Sequence, residues 1–303
     1  LWAETFDREM TVENIFEIQS EITRQIVLAV KGELTEAEQS NMGTAPTGDL
    51  QAYEAYQQAR AITRRADYSA QNYIEAEVWA SKAVQLDPEF AQAWAVLVEI
   101  HGQAVWIGFD SSPQRFKAAR DALDNAIKYG PDLAETKAAQ GEYLYRVENN
   151  YKASTRAFEL AHKALPGDVN ILERLAVAQR RAGLLDAAIT SFEKVIAADP
   201  ANSRSATLLA DTLITTRQYE RVSPLIDHWM LKFPDARDLR AYKAKVYMYG
   251  LGDLTSARAM MANMLPWTGN EYLVVMSELA EYERDFEKVL ATWEIPEIKS
   301  YEG

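Results

Sequence analysis

Residues 183–200 read GLLDAAITSFEKVIAADP, the most regular copy of a motif that recurs along the chain. Its small residue is Ala188, with Leu185 three positions before it and Phe192 four positions after it. These offsets place the three side chains on one face of an α-helix, and a face so apolar must be buried. Pro200 then ends the helix, because proline lacks an N–H and clashes with the preceding turn. The stretch therefore predicts a helix whose small residue lets a neighbouring helix approach closely.

The motif occurs seven times, and its small residues are spaced by 43, 35, 34, 34, 35 and 32 positions. Another apolar stretch with helical spacing lies upstream of each copy. A regular period with two helices per copy predicts helix pairs that stack into one continuous core. The small residues are Ala76, Ala119, Ser154, Ala188, Val222, Ala257 and Val289; three positions earlier stand Tyr73, Phe116, Tyr151, Leu185, Tyr219, Leu254 and Phe286; four positions later stand Ala80, Leu123, Phe158, Phe192, Ile226, Met261 and Trp293; and the terminal prolines are Pro88, Pro131, Pro166, Pro200 and Pro234.

The two helices of each copy resemble the consensus of the tetratricopeptide repeat (TPR). Trp94 and Leu97 match its first-helix positions in the second copy, and Gly141 matches its small position in the third. The resemblance covers about residues 50–295. It implies an all-α fold: a TPR-type α-α superhelix, a solenoid of about seven helical hairpins, preceded by a short strand and one long helix.

Two hairpins depart from the regular period. The second carries nine extra residues, roughly Val105–Pro113, in which Ser112 and Pro113 predict an N-cap followed by the first helical position. The apolar stretch 106–109 is predicted to tuck against the neighbouring helix pair. Pro296 predicts that the last hairpin is cut short.

The first forty residues have a different character from the repeats. Thr11–Gly32 predicts one amphipathic helix, Leu1–Phe6 predicts an extended segment, and residues 41–49 are rich in turn-forming residues. The apolar residues of the helix are Ile15, Ile18, Ile22, Ile26 and Val30. The predicted division is an N-terminal segment (1–40), a linker (41–49), the solenoid (50–296) and a tail (297–303).

The strings LWAETFDR (1–8) and NIFEIQSEI (14–22) resemble the junction of many bacterial regulators, in which a TolB-like α/β domain precedes TPRs. In those proteins either a class III adenylate/guanylate cyclase domain or a winged-helix DNA-binding domain lies further upstream. The resemblance implies that residues 1–40 are the C-terminal edge of a TolB-like domain plus its helix. The chain starts at Leu1 without an initiating methionine, and we expect it to be the C-terminal TPR region of such a regulator.

Three hypotheses for function follow from these patterns. The leading one is a non-catalytic protein–protein interaction scaffold, the regulatory or sensory region of a multidomain bacterial signalling protein. The first alternative is the regulatory region of an adenylate/guanylate cyclase whose catalytic domain lies upstream. The second is the sensor region of a winged-helix transcriptional activator. The residues that precede Leu1 in the parent protein would decide among them.

Composition argues against several classes of function. The formal net charge of -13, without a dense Lys/Arg run, disfavours direct binding to nucleic acid or to an anionic membrane. The chain has no cysteine and no apolar run long enough to span a membrane. Its three histidines are widely separated in the sequence, and hydrolase and nucleotide-binding motifs are missing. We therefore expect no catalytic, cofactor or metal site, and a cytoplasmic location, or a periplasmic one if a transmembrane helix lies upstream.

The TPR resemblance implies that the first helices line a concave groove that holds a protein or peptide. Residues off the buried stripe of these helices carry mixed charge, and arginine and aromatic side chains are favoured anchors at interfaces. The upstream domain of the same chain is a further expected partner, and a homodimer through the last hairpin around Trp293 is left open. The candidate groove residues are Glu135, Glu142, Arg146, Glu173, Val177, Arg180, Arg181, Arg204, Asp211, Lys245 and Tyr249.

Overall fold

The computed structural model of the chain describes residues 11–31, 45–64, 69–234, 237–262 and 270–293. All the regular secondary structure in these ranges is helical, which confirms the all-α prediction. The helices are α1 (Val12–Lys31), α2 (Leu50–Thr63), α3 (Ala70–Leu86), α4 (Ala91–Trp106), α5 (Pro113–Tyr129), α6 (Ala134–Arg146), α7 (Tyr151–Ala164), α8 (Val169–Arg181), α9 (Leu185–Ala198), α10 (Ser203–Thr215), α11 (Tyr219–Lys232), α12 (Arg237–Lys245), α13 (Leu254–Ala262), α14 (Asn270–Tyr282) and α15 (Phe286–Trp293), with a π-helical turn, Val246–Leu251, directly after α12.

The chain divides into two compact units, Leu1–Leu165 and Pro166–Gly303. In the described part of the first unit, α1 is followed by three antiparallel helix pairs, α2/α3, α4/α5 and α6/α7. In the second unit the pairs are α8/α9, α10/α11, α12/α13 and α14/α15. Each helix pair corresponds to one predicted copy of the motif.

In the first six pairs the predicted small residues are among the most deeply buried positions of the second helix, whereas Val289 of the seventh pair is half-buried. Ala76, Ala119, Ser154, Ala188, Val222 and Ala257 are 0% exposed. The hydroxyl of Ser154 donates to the backbone oxygen of Gly141 at 2.8 Å, which satisfies this buried polar group. The bulky residues four positions later are buried as well, with Phe158 and Phe192 at 1% and 0% exposure. The predicted core stripe is thus confirmed at these two positions.

The position three residues earlier is less buried than the pattern predicts. Phe286 is 67% exposed and Phe116 is 37% exposed, whereas Leu185 and Tyr219 are half-buried. In five pairs this residue is the first of its helix. Phe116 and Tyr73 lie inside their helices, and Tyr73 is buried, so the burial of this position varies from pair to pair.

The turns within the third to seventh helix pairs share a left-handed residue. Asn149, Gly183, Arg217, Gly252 and Arg284 have φ values of 52°, 80°, 58°, 66° and 59°. The following residue donates its N–H back to a helix carbonyl, as from Leu184 to Gln179 at 2.9 Å and from Gln218 to Leu213 at 2.8 Å. This is the Schellman closure of a helix C-terminus.

The same turns explain why two copies of the motif are slightly longer than the regular ones. In the third pair the closing bond runs from Asn150 to Leu144, and in the sixth from Asp253 to Tyr247. Each of these bonds spans a longer stretch of chain than its counterpart in the regular copies. In the sixth pair the additional length is absorbed by the π-helical turn, Val246–Leu251, because a π-turn accommodates an insertion in a helix. The first-helix register therefore runs unbroken up to Lys245.

Replacing Arg217 with glycine should raise the free energy of unfolding of the second unit by about 0.5–1 kcal/mol. A left-handed conformation costs an L-residue roughly 1–2 kcal/mol, and part of the gain is offset because glycine makes the unfolded chain more flexible. Urea denaturation measures the change. Arg221→Gly, in the first turn of α11, is the control and should destabilise; an equal effect at the two positions would contradict the turn assignment.

The extended second hairpin agrees with the prediction at its start and differs in its loop. The hydroxyl of Ser112 accepts from the N–H of Arg115 at 3.2 Å, and Pro113 begins the helix, as predicted. The ring of Trp106 packs 5.1 Å from that of Tyr145. Phe109 is 43% exposed and Ile107 next to Trp106 is 42% exposed, so the prediction that the whole stretch tucks in is wrong for these two.

Helix α1 confirms the amphipathic helix predicted for Thr11–Gly32, and it packs on the first hairpin. The ring of Phe16 meets that of Tyr53 edge-on at 5.1 Å. The segment before α2 is also held, since the Thr47 hydroxyl donates to a carboxylate oxygen of Asp87 at 2.6 Å. The side chains of Ile26 and Val30 lie outside the described residues, as do the segments 1–10, 41–44 and 297–303, so the predicted division remains a prediction.

Candidate functional site

Two ion pairs link neighbouring first helices of the second unit. Arg180 of α8 pairs with Asp211 of α10, and Arg204 of α10 pairs with Glu173 of α8. The side-chain amide of Asn202 also donates to Glu173 at 3.2 Å. The structure therefore brings together four of the predicted groove residues, which are 31 positions apart in each pair.

The charged side chains of these two ion pairs differ in burial. The side chains of Glu173 and Asp211 are 14% and 18% exposed, whereas that of Arg204 is 54% exposed. Arg181, at the end of α8, is exposed as well. The carboxylates thus form the floor, the side chain of Arg180, at 26% exposure, lies little above it, and Arg204 and Arg181 form the surface. We call this surface, with Glu173, Val177, Arg180, Arg181, Arg204, Asp211 and Lys245, the first-helix face.

The remaining predicted residues of the second unit are more involved in packing. Val177 is half-buried against the core of the unit. The ammonium of Lys245 lies 5.5 Å from the centre of the Tyr242 ring. Tyr249 packs 6.0 Å from the ring of Tyr282, and burial, together with a hydrogen bond to Glu278, raises its pKa. Tyr249 therefore contributes to the join between the sixth and seventh pairs.

In the first unit the predicted groove residues do not form an open charged surface. Glu142 is 3% exposed, and its carboxylate is 2.5 Å from Nε of Arg146 one turn later. Arg146 lies over Gly102 of α4, where an added methyl group would be 3.6 Å from two of its carbons. Glu135 is half-buried. The prediction that Glu142 lies on an open groove is therefore corrected: its side chain is buried and pairs with Arg146 of the same helix.

A cluster around Arg115 was not predicted from the sequence. Its Nε lies 2.9 Å from a carboxylate oxygen of Asp110, its Nη1 lies 2.8 Å from Glu77, and the same nitrogen is 2.6 Å from Nδ1 of His101. These residues come from α3, α4, α5 and the inserted loop, so no repeat spacing joins them. The guanidinium holds the loop residue Asp110 against the helices.

The cluster shifts two pKa values in the same direction for different reasons. Burial lowers the pKa of His101 to about 4, and Arg115 contributes in the same direction, while Glu77 and Asp110 oppose the shift. Hydrogen bonds from the hydroxyl and the N–H of Ser112, followed by Arg115, lower the pKa of Asp110 to about 2. At neutral pH the imidazole is therefore neutral beside a charged guanidinium.

Stability of the first unit should fall as the pH drops from 6.5 towards 4. The pKa of His101 is about 4 in the folded state against 6.5 for an ordinary histidine, so the unfolded state binds the extra proton in this window. His101→Gln should flatten this part of a plot of urea midpoint against pH. An unchanged slope in His101→Gln would contradict the assignment.

The described residues form neither a metal-binding cluster nor a membrane-spanning helix. Among them, no group of three or more His, Cys, Asp or Glu side chains is placed to hold a metal ion. None of the helices in the described ranges combines the length and apolar character of a membrane span. An open groove of about 590 Å³ lies between α1 and the first hairpin, lined in part by Ile15, Tyr53 and Trp79.

Comparisons with known proteins agree with the helical hairpins. The sequence model of the family described as "Tetratricopeptide repeat" matches residues 179–246. A curated relative, "Putative adenylate cyclase 3" of Rhizobium meliloti (strain 1021), is 30% identical over 131 residues. That match covers 41% of this chain and 21% of the length of the relative.

Two solved structures share the fold. PilW, titled a widely conserved type IV pilus biogenesis factor, superposes with a TM-score of 0.60 at 19% identity over 75% of this chain and 99% of its own. A tetratricopeptide repeat protein from Parabacteroides merdae gives a TM-score of 0.58 at 11% identity over 83% of this chain and 93% of its own. At these identities the likeness concerns the fold alone. Together with the repeated helix pairs and the match to the family model, this likeness shows that the chain has the tetratricopeptide-repeat fold.

Proposed function

We propose that this chain is a non-catalytic protein-interaction scaffold that binds its partner on the first-helix face. The observation that carries the proposal is the pair of ion-pair links between α8 and α10, which places guanidinium groups on the surface and carboxylates beneath. The TPR fold supports it, because stacked helix pairs give extended binding surfaces. Arginine is also over-represented among residues that dominate binding energy.

The energetics of the face suit reversible binding. The side chain of Arg204 is 54% exposed, and the amide of Asn202 also donates to Glu173, so Glu173 keeps a hydrogen-bond donor when Arg204 reorients. A guanidinium has five N–H donors, and its pair with Glu173 is made through one nitrogen. A partner can therefore accept hydrogen bonds from the remaining N–H groups of Arg204 without disrupting the helices.

The proposal is tested by charge changes on the face. Arg181→Glu combined with Arg204→Gln should reduce capture of a partner by at least about fivefold in pull-downs with the full chain, without a change in circular dichroism. Arg180 is left unchanged in this test, because a glutamate at position 180 would place a second carboxylate beside Asp211. Identical capture by the variant and the unmodified chain would sink the proposal.

The matched control for this test is Arg221→Gln on α11. Arg221 forms an ion pair with Glu193 of α9, so it links neighbouring second helices as Arg204 links neighbouring first helices. Its side chain is 45% exposed, close to the value for Arg204. Losing this arginine should leave capture unchanged, and equal losses at Arg221 and Arg204 would mean that the first-helix face has no special role.

A finer proposal is that the scaffold is the regulatory region of a bacterial nucleotide cyclase. It is supported by the 30% identity to a putative adenylate cyclase over 131 residues and by the strings at residues 1–8 and 14–22. In the parent protein, Arg181→Glu with Arg204→Gln should then alter cyclic nucleotide production. A parent with no cyclase activity would contradict it. The sensor region of a winged-helix activator stays a prediction from the resemblance.

A further inference from the structure

Positive charge is concentrated on three consecutive first helices. The sequences of α8, α10 and α12 contain eight basic and three acidic residues. The remaining chain has 24 basic and 42 acidic residues. First helices are not basic in general: α2, α4 and α6 together contain three basic and four acidic residues. The basic character is therefore a property of the fourth to sixth hairpins.

The basic character of the first helices does not continue into the seventh pair. Helix α14, the first helix of the seventh pair, has three glutamates and no basic residue. In the sixth pair, Lys243 is turned away from the face, because its ammonium lies 2.8 Å from Asp227 and 2.9 Å from the hydroxyl of Ser223 on α11. Lys245 is half-buried and follows Asp211 by one unbroken repeat, so it continues the face.

We propose that the partner on the first-helix face is an acidic peptide segment, held along α8, α10 and α12 by Arg180, Arg181, Arg204 and Lys245. The inference rests on the proposed function and specifies the chemistry of its partner. Carboxylates suit these side chains, because arginine binds a carboxylate through two parallel hydrogen bonds. The ion pairs to Asp211 and Glu173 show that the guanidinium groups of Arg180 and Arg204 are oriented so that each can meet a carboxylate.

An extended peptide presents the side chains of one side about every 7 Å. A peptide with acidic residues at alternate positions therefore offers several carboxylates to Arg180 and Arg204, which lie on neighbouring first helices.

Nucleic acid fits the face less well than an acidic peptide. A phosphate backbone is a continuous line of negative charge that would extend beyond the three basic helices. The 42 acidic residues outside these helices would repel a long polyanion at its flanks. A short acidic peptide would contact only the three basic helices, α8, α10 and α12.

The test uses fluorescence anisotropy with the full 303-residue chain and a labelled twelve-residue peptide of alternating glutamate and tyrosine. Replacing every glutamate with glutamine should weaken binding at least about tenfold, the change expected for about 1.4 kcal/mol. Raising the salt concentration should also weaken it, since exposed charges are screened. Arg204→Gln with Lys245→Gln should lose affinity at least about fivefold, while Arg221→Gln should stay within about twofold.

The outcomes separate this inference from the proposed function. Equal affinity for the glutamate and glutamine peptides, with loss in the Arg204 variant, would overturn the acidic partner and leave the interaction face intact. Loss in Arg221→Gln alone would place binding on the second helices and overturn both. A DNA oligonucleotide that binds more tightly than the acidic peptide and is released by Arg204→Gln would overturn the peptide in favour of nucleic acid. Thermal denaturation shows that each variant is folded.

Discussion

Replacing Phe192 with alanine should lower the free energy of unfolding of the second unit by roughly 3–5 kcal/mol. The ring is 0% exposed and belongs to the core that also contains Leu209, Leu213 and Ile226. Truncation removes the ring from the apolar interior and leaves a cavity that the surrounding helices fill only in part. Urea denaturation followed by circular dichroism measures the change.

Leu231→Ala is the matched control for this prediction. Leu231 lies in the last turn of α11, in the same unit, and is 87% exposed. Its truncation should change the free energy of unfolding by no more than about 0.5 kcal/mol. A loss below about 1 kcal/mol for Phe192→Ala would contradict its place in the core. Because the chain has two compact units, the transition of each should be followed separately.

Gly141→Ala should destabilise the first unit by roughly 1–3 kcal/mol. An added methyl group at this position would lie 2.9 Å from carbons of the Phe158 ring, which is 1% exposed and has no room to move. The clash must exceed the gain in helix propensity, about 1 kcal/mol for glycine to alanine. Thermal or urea denaturation of the variant measures the difference.

Gly102→Ala separates the clash from the propensity. Gly102 is also buried within a helix of the first unit, but a methyl group there would be 3.6 Å from its nearest neighbours, an ordinary contact. The replacement should therefore be neutral or stabilising by up to about 1 kcal/mol. Destabilisation of equal size at Gly141 and Gly102 would show that the close packing of Gly141 on Phe158 is not the cause.

The second helices could be predicted from the sequence because their signal is repeated. A small residue such as Ala188 and a bulky one such as Phe192 recur at one spacing, and a proline such as Pro200 marks the end of most copies. The turns were not predictable in the same way. Arg217 takes the left-handed conformation that Gly183 takes one repeat earlier, and the side chain gives no indication of it. The backbone closure of the hairpin determines the conformation there.

The candidate site was predicted in part. The register correctly brought Arg180 and Arg204 to neighbouring first helices, but it does not show that each would pair with a carboxylate of the adjacent helix. Glu142 was placed on an open surface because its helical position resembles that of groove residues, whereas tertiary packing buries it. The cluster around Arg115 depends on an insertion outside the repeat, so a periodic pattern could not reveal it.

The two units differ in the chemistry of their first helices. In the first unit a buried pair, Glu142 and Arg146, and the small residue Gly102 fill the space between helices. In the second unit the ion pairs are partly exposed and arginine lies outermost. Packing between helices accounts for the Glu142–Arg146 pair of the first unit. The ion pairs of the second unit leave charged groups at a surface, and we therefore assign partner binding to the second unit.

Site-specific photo-crosslinking tests the central claim most directly. A photoreactive phenylalanine analogue replaces either Arg181, exposed on the first-helix face, or Leu231, 87% exposed on a second helix. The protein is irradiated in its native cells, and the crosslinked peptides are identified by mass spectrometry. The account predicts a protein partner crosslinked at position 181 and not at position 231. Equal yields at both positions, or a partner captured at position 231 alone, would contradict it.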